Sequence, residues 1–156
     1  MYKRQDIGGK EIINILKRWE KAYDFIDVYE SLGRRDFHGL LNSNNSSSVM
    51  RACYVGNSSA GVKETPALKC PSIIIGDRQK GRLHSTNVVF VDNNEEHISK
   101  KISMVFDSDE FINTCKETVN PYGDGTMGKQ SLEIIENINL NKKLLKKSFK
   151  DINFTN

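Results

Sequence analysis

Three short stretches hold the residue types best suited to gripping an anion. "VGNSSAGVKE" (Val55 to Glu64) sets Ser58 and Ser59 close to Gly61, with Glu64 three residues on. Small residues let backbone N–H groups close on an anion, and serine hydroxyls add donors. "GDRQKGR" (Gly76 to Arg82) follows the apolar run "SIII" and presents Arg78, Lys80 and Arg82. A guanidinium grips phosphate oxygens in a forked geometry. "NPYGDG" (Asn120 to Gly125) carries the Pro, Asp and glycines of a turn. A nucleophilic serine is the weaker reading. "GNSSAG" is not Gly-x-Ser-x-Gly, and no His/Asp partners accompany it.

Each of these residues also has a bland explanation. Ser58 or Ser59 can cap a helix. Arg78, Lys80 and Arg82 can be a solvated charged turn. Glu64 can bind ribose hydroxyls or complement a helix N-terminus. Phe37 can stack on a base, but an aromatic at its spacing is more often core. His84, Asp107 and Asp109 carry no mark of a general acid or base. The three histidines and three cysteines are scattered, which argues against a zinc site, and no cofactor is expected.

The elements that must position these groups alternate. A helical spacing covers Lys10 to Lys21, and Phe25, Ile26, Val28 and Tyr29 read as a short strand. Asp36 is the expected cap of a helix holding Phe37, Leu40 and Leu41. The polar run "NSNNSSS" reads as a loop, and a strand is centred on Ala52 to Val55. A helix to Leu68 follows. "SIIIG" and "NVVFVD" read as buried strands, being apolar throughout. Helices are expected from about Glu95 to Phe106 and Asp109 to Val119, with a last amphipathic segment from Leu132 to Ile138. The pattern predicts a Rossmann-like α/β fold: a parallel sheet in three layers, with helices on both faces. Ligands of such sheets bind beyond the carboxyl ends of the strands, where two of the three stretches fall.

A length of 156 residues suits one domain, and a hydrophobic share of 37% suffices for a soluble one. The net charge of +3 is small, and the basic run "NKKLLKKSFK" reads as the solvated face of a terminal helix. Neither a nucleic-acid nor a membrane partner is therefore expected. No apolar run approaches a membrane span and no signal peptide is visible. The odd, dispersed cysteines suit a reducing compartment, so the expected location is cytoplasmic. Residues 1–5 are set apart as an extraneous start, 6–139 as the domain, and 140–156 as a basic helix and tail.

In this order and spacing, "VGNSSAGVKE", "GDRQKGR" and "NPYGDG" resemble the C-terminal half of UDP-N-acetylglucosamine 2-epimerases. The hydrolysing branch, which makes N-acetylmannosamine and UDP for sialic-acid-type sugars, is resembled most. The non-hydrolysing branch usually has an Asp-Ser-Gly-Gly-type loop where this chain has Asn57-Ser58-Ser59-Ala60-Gly61. The resemblance implies one domain of a glycosyltransferase-B architecture, two Rossmann-like domains with the active site between them. It implies that Ser58, Ser59 and the backbone around Gly61 hold a diphosphate. Glu64 would take the ribose hydroxyls and Arg78 the phosphate and sugar side. Phe37 would stack on uracil, with the Leu32 backbone at the base edge. The implied partners are UDP-N-acetylglucosamine or UDP, the missing N-terminal domain with its catalytic acids, and further copies in a homo-oligomer. No catalytic residue is expected within this chain. A stand-alone nucleotide-binding module is the alternative of a different class. The chain departs from the family between Phe37 and Ser58, where "NSNNSSSVMRA" adds residues. These either bulge into solvent or displace Phe37 from Ser58.

Overall fold

Continuous runs of β-branched residues make the centre of the molecule. The computed structural model describes residues 8–45 and 51–139. The expected extraneous start and the basic terminal helix lie outside them. Three strands pair in parallel: β1 (Tyr54–Gly56), β2 (Ser72–Ile75) and β3 (Val88–Val91), in the order β1-β2-β3. Ile73 sits opposite Val55 on one side and Val89 on the other, so β2 is the central strand. Six α-helices surround or flank the sheet among the described residues: α1 (Gly9–Ala22), α2 (Gly33–Leu41), α3 (Ala60–Lys63), α4 (Glu95–Asp107), α5 (Asp109–Lys116) and α6 (Met127–Asn137).

Alternation along the strands divides the core into two halves. Ile74 and Val88, with Tyr54 and Phe90, pack against Val62 of α3. Ile73 and Val91 pack the other way against Val105, Ile98 and Ile102 of α4 and Phe111 of α5. Helices thus lie on both faces, in the three-layer arrangement expected of a Rossmann-like α/β domain. α4 and α5 have the sequence signals of good helix starts. The side chains of Asn94 and Ser108 accept the amides of His97 and Phe111, and acidic residues fill both first turns. Arg51 fastens β1's approach to this layer, bonding the Phe106 carbonyl and the Asp109 carboxylate.

Several expected elements differ. The strand read at Phe25 to Tyr29 forms no ladder. The Val28 amide donates instead to the Glu20 carboxylate at 2.8 Å, and Phe25 is 83% exposed against Tyr23. Asp36 is not a cap: α2 begins at Gly33 with Leu32 at the N-cap, leaving Asp36 in the first turn. The helix expected to reach Leu68 stops at Lys63, and turns follow to Lys69, which takes a left-handed φ of 54°. Pro66 accounts for this, since it lacks the N–H the next helical turn requires. β2 connects to β3 through residues 76–87 with no helix at all.

α3 lies unusually close to the sheet because of Gly61. A Cβ placed there would meet Ile74 Cδ1 at 2.4 Å and Tyr54 Cε1 at 2.5 Å. Its carbonyl accepts two hydroxyls, Thr65 Oγ1 at 2.8 Å and Ser72 Oγ at 2.7 Å. Asn87, buried before β3, donates to Thr65 Oγ1 at 3.0 Å and to the Cys70 carbonyl at 2.7 Å. These polar residues are wholly buried, where unmade hydrogen bonds are costly.

The three free cysteines gather at the β1 side of the core. Burial, then the neighbouring thiols, push Cys53 up to about 12; burial raises Cys70 to about 11; burial and Cys70 raise Cys115 to about 12. All stay protonated at neutral pH.

Two outcomes follow. Gly61→Ala should lower unfolding stability in urea by about 1–3 kcal/mol, the usual cost of overpacking, because a ring and a fully buried isoleucine must move. An unchanged midpoint would contradict the close packing. The folded chain should react with a thiol reagent far more slowly at pH 8 than the same chain in urea. Because folding raises these pKa values above the ordinary 9.0, the thiol contribution to stability is complete below pH 9 and declines as pH climbs toward 12. Rapid labelling of all three thiols in the folded chain would refute it.

Candidate functional site

Parallel strands deliver their following loops to one edge of the sheet. The loop after β1 carries Asn57, Ser58 and Ser59; the loop after β2 begins at Gly76 and carries Arg78. Gly76 has a φ of 74°, a left-handed turn that glycine takes without strain. Gln79 joins the two loops. It is 2% exposed, and its Nε2 donates to the Asn57 carbonyl at 2.8 Å. Its Oε1 is buried without a partner among the described residues. Lys80 is turned to Asp77 at 2.5 Å, so this cation is committed within its own loop.

Tyr54 is the hub beneath the first loop. Burial raises its phenol pKa, opposed by hydrogen bonding to Ser58; Glu64 raises it further and Arg78 lowers it. The phenol thus lies near Ser58 and within electrostatic reach of both charged residues. Phe37 stands edge-on to the Tyr54 ring, with centroids 6.5 Å apart. The additional residues after α2 therefore leave Phe37 against β1; the first of them form a 3₁₀ turn, Asn42–Asn45. Residues 46–50 fall outside the described ones. His38, next to Phe37, brings Nε2 to Glu64 Oε2 at 2.6 Å.

The third stretch reaches the same region through Tyr122. Its hydroxyl donates to the Leu83 carbonyl at 2.8 Å, just after the second loop. Lys63 Nζ lies 5.6 Å from its ring centroid, a cation–π contact from α3. Within that turn Asp124 accepts from the amide and hydroxyl of Thr126, which lowers its pKa.

Of the residues singled out from the sequence, Phe37, Ser58, Glu64 and Arg78 gather about Tyr54. Ser59 is the N-cap residue of α3 but makes no capping bond through its side chain, and Ser58 Oγ reaches only the Ala60 amide at 3.4 Å. Neither serine is a strong cap. Glu64 closes α3 at its C-cap, so it complements no helix N-terminus. α3 is a single turn of four residues, so its aligned peptide dipoles add little, and donors in the loop matter more. Gly61 is buried beneath the loop, and its missing side chain makes room for Tyr54 and Ile74 rather than for a ligand. Leu32 is placed by chain proximity alone, at the start of the helix that carries Phe37. Sequence reading passed over Tyr54, Gln79, His38 and Tyr122. A tyrosine directly before a Gly/Ser loop was the one available signal.

Two grooves of about 730 Å³ mark the surface, one along α5 by Thr86 and Asn113, the other beneath the third stretch itself, lined by Tyr122 with Pro66 and Lys69. Neither is lined by Ser58, Glu64 or Arg78. Converging hydroxyls, backbone amides, a guanidinium and a carboxylate suit a phosphorylated, hydroxyl-bearing ligand better than either groove does.

A three-stranded parallel sheet, with polar loops gathered at its carboxyl edge, defines a Rossmann-like α/β domain. Residues 2–136 match the UDP-N-acetylglucosamine 2-epimerase family, and the chain belongs to it. Among curated relatives, the chain is 36% identical over 98 residues to the polysialic acid biosynthesis protein P7 of Escherichia coli, covering 63% of this chain and 25% of that protein. It is 34% identical over 85 residues to the GDP/UDP-N,N'-diacetylbacillosamine 2-epimerase (hydrolyzing) of Campylobacter jejuni, covering 54% and 20%. It is 30% identical over 153 residues to the UDP-N-acetylglucosamine 2-epimerase of Neisseria meningitidis serogroup B, covering 98% and 38%. The matched regions thus span between 20% and 38% of these relatives' lengths.

The Gln79 bridge gives the site its own test. Gln79→Leu keeps the buried volume but leaves the Asn57 carbonyl without its donor, at a cost of about 1–3 kcal/mol in urea unfolding. The amide resonances of Asn57, Ser58 and Ser59 should shift with it. Unmoved loop resonances together with unchanged stability would show that the loops are independent.

Proposed function

We propose that this chain is the C-terminal, UDP-binding half of a hydrolysing UDP-N-acetylglucosamine 2-epimerase, and that the whole enzyme converts UDP-N-acetylglucosamine to N-acetylmannosamine and UDP. The observation that carries this reading is the meeting of three stretches distant in sequence: Gln79 bonds the Asn57 carbonyl, Tyr122 bonds the Leu83 carbonyl, and Lys63 lies over the Tyr122 ring. In this reading Ser58, Ser59 and the surrounding backbone N–H groups hold the diphosphate, with Arg78 beside them. Glu64 accepts from the ribose hydroxyls and Phe37 stacks on uracil, with the Leu32 backbone at the base edge. Such donors act on the leaving group: as negative charge develops on the departing diphosphate, preorganised hydrogen bonds lower the barrier.

The remaining chemistry belongs to an N-terminal domain joined to this one in a glycosyltransferase-B architecture. There a base removes the C2 proton while the anomeric C–O bond breaks, UDP departs, and a 2-acetamidoglucal remains. Water then adds to give the 2-epimer. Two carboxyl groups with separated pKa values suit these two proton transfers. The hydrolysing outcome is supported by the Asn57-Ser58-Ser59 loop and by the likeness to the Campylobacter relative, a hydrolysing 2-epimerase by name. The Escherichia coli relative's name supports a place in sialic-acid-type sugar synthesis. No described helix is long and apolar enough to cross a membrane, which accords with a cytoplasmic enzyme.

Alone, the 156-residue chain should bind UDP weakly and turn over nothing. Titration with UDP should move the amide signals of Ser59 and Arg78. No movement at saturating UDP would overturn the UDP-binding reading. Joined to an N-terminal half, the enzyme should release free N-acetylmannosamine; UDP-N-acetylmannosamine as the product would instead assign it to the non-hydrolysing branch.

A further inference from the structure

We infer that His38 is a positioning residue, one that fixes the Glu64 carboxylate so that a ribose diol is recognised. This deepens the UDP-binding reading and rests on it. Three observations carry it. The hydrogen bond from His38 Nε2 to Glu64 Oε2 is short, at 2.6 Å, and joins α2 to α3 across 26 residues of sequence. Both side chains are partly withdrawn from water, at 29% and 43% exposure, so the bond is less easily replaced by solvent. Glu64 sits at the C-cap of α3, where nothing in its own helix orients a carboxylate.

The geometry divides the work of the two oxygens. A carboxylate only accepts, so Nε2 carries the proton and donates. His38 occupies Oε2, so Oε1 is the oxygen this proposal assigns to the ligand's donor. Fixing one oxygen removes the rotational freedom that a flexible glutamate would otherwise lose on binding a ligand. His38 follows Phe37, whose ring packs edge-on against Tyr54. One helical segment therefore places the Phe37 ring and holds the Glu64 carboxylate.

The test compares UDP with 2′-deoxyuridine diphosphate, which lacks one donor to Glu64, by calorimetric titration of the whole chain. The original chain should favour UDP roughly tenfold, the order expected of one hydrogen bond to a charged acceptor. His38→Ala should reduce that preference to about threefold or less while binding the deoxy compound nearly as before. His38→Gln, which keeps a donor at a similar reach, should recover most of the preference. An equal loss for both nucleotides would make His38 merely structural and overturn the proposal, as would an undiminished preference in His38→Ala. If the unaltered chain binds neither nucleotide, the UDP-binding reading falls and this proposal with it.

Discussion

The close seating of α3 on the sheet governs everything above it. Gly61 has no side chain, so the helix backbone rests on the Tyr54 ring and on Ile74. Its carbonyl, accepting from both Thr65 and Ser72, fixes the depth. That depth sets where the Ser58–Ser59 loop emerges, where Glu64 meets His38 and where Lys63 meets Tyr122. Ser72 is on β2 and Asn87 lies just before β3, so the buried polar network ties the helix to the sheet at several points. Buried polar contacts of this kind are directional. They select one seating among the several that apolar contact alone would allow.

β2 and β3 were legible because their apolar runs are buried on both faces, a pattern few other elements share. α4 and α5 were legible as helical spans, and the folded chain adds the Asn94 and Ser108 caps that start them. The run at Phe25 to Tyr29 has the same local appearance as an edge strand, yet pairing is a tertiary event, and Glu20 takes the Val28 amide instead. The early end of α3 follows from Pro66, a local signal that the expectation of a helix to Leu68 left out. Gly61 stood out for its missing side chain, and only the folded chain shows Tyr54 and Ile74 packed beneath it.

The candidate site was legible at the level of motifs and illegible at the level of supports. Ser58, Glu64 and Arg78 declare themselves by type and spacing. Gln79 does not, because a glutamine in a charged loop looks solvated until the fold buries it. His38 was invisible for a similar reason, as its partner lies on another helix. Residues that touch a ligand carry chemistry in their identity, whereas residues that hold them carry it in their surroundings.

The two faces of the sheet are covered unequally. α4 and α5 back one face, while the other carries the single turn of α3 with Phe37 of α2 against Tyr54 and, between β2 and β3, only loop. The back is held by packed helices and the front by single side-chain bonds between loops, such as Gln79 to the Asn57 carbonyl. Bonds of that kind can be altered one at a time while the packed helices behind them stay in place.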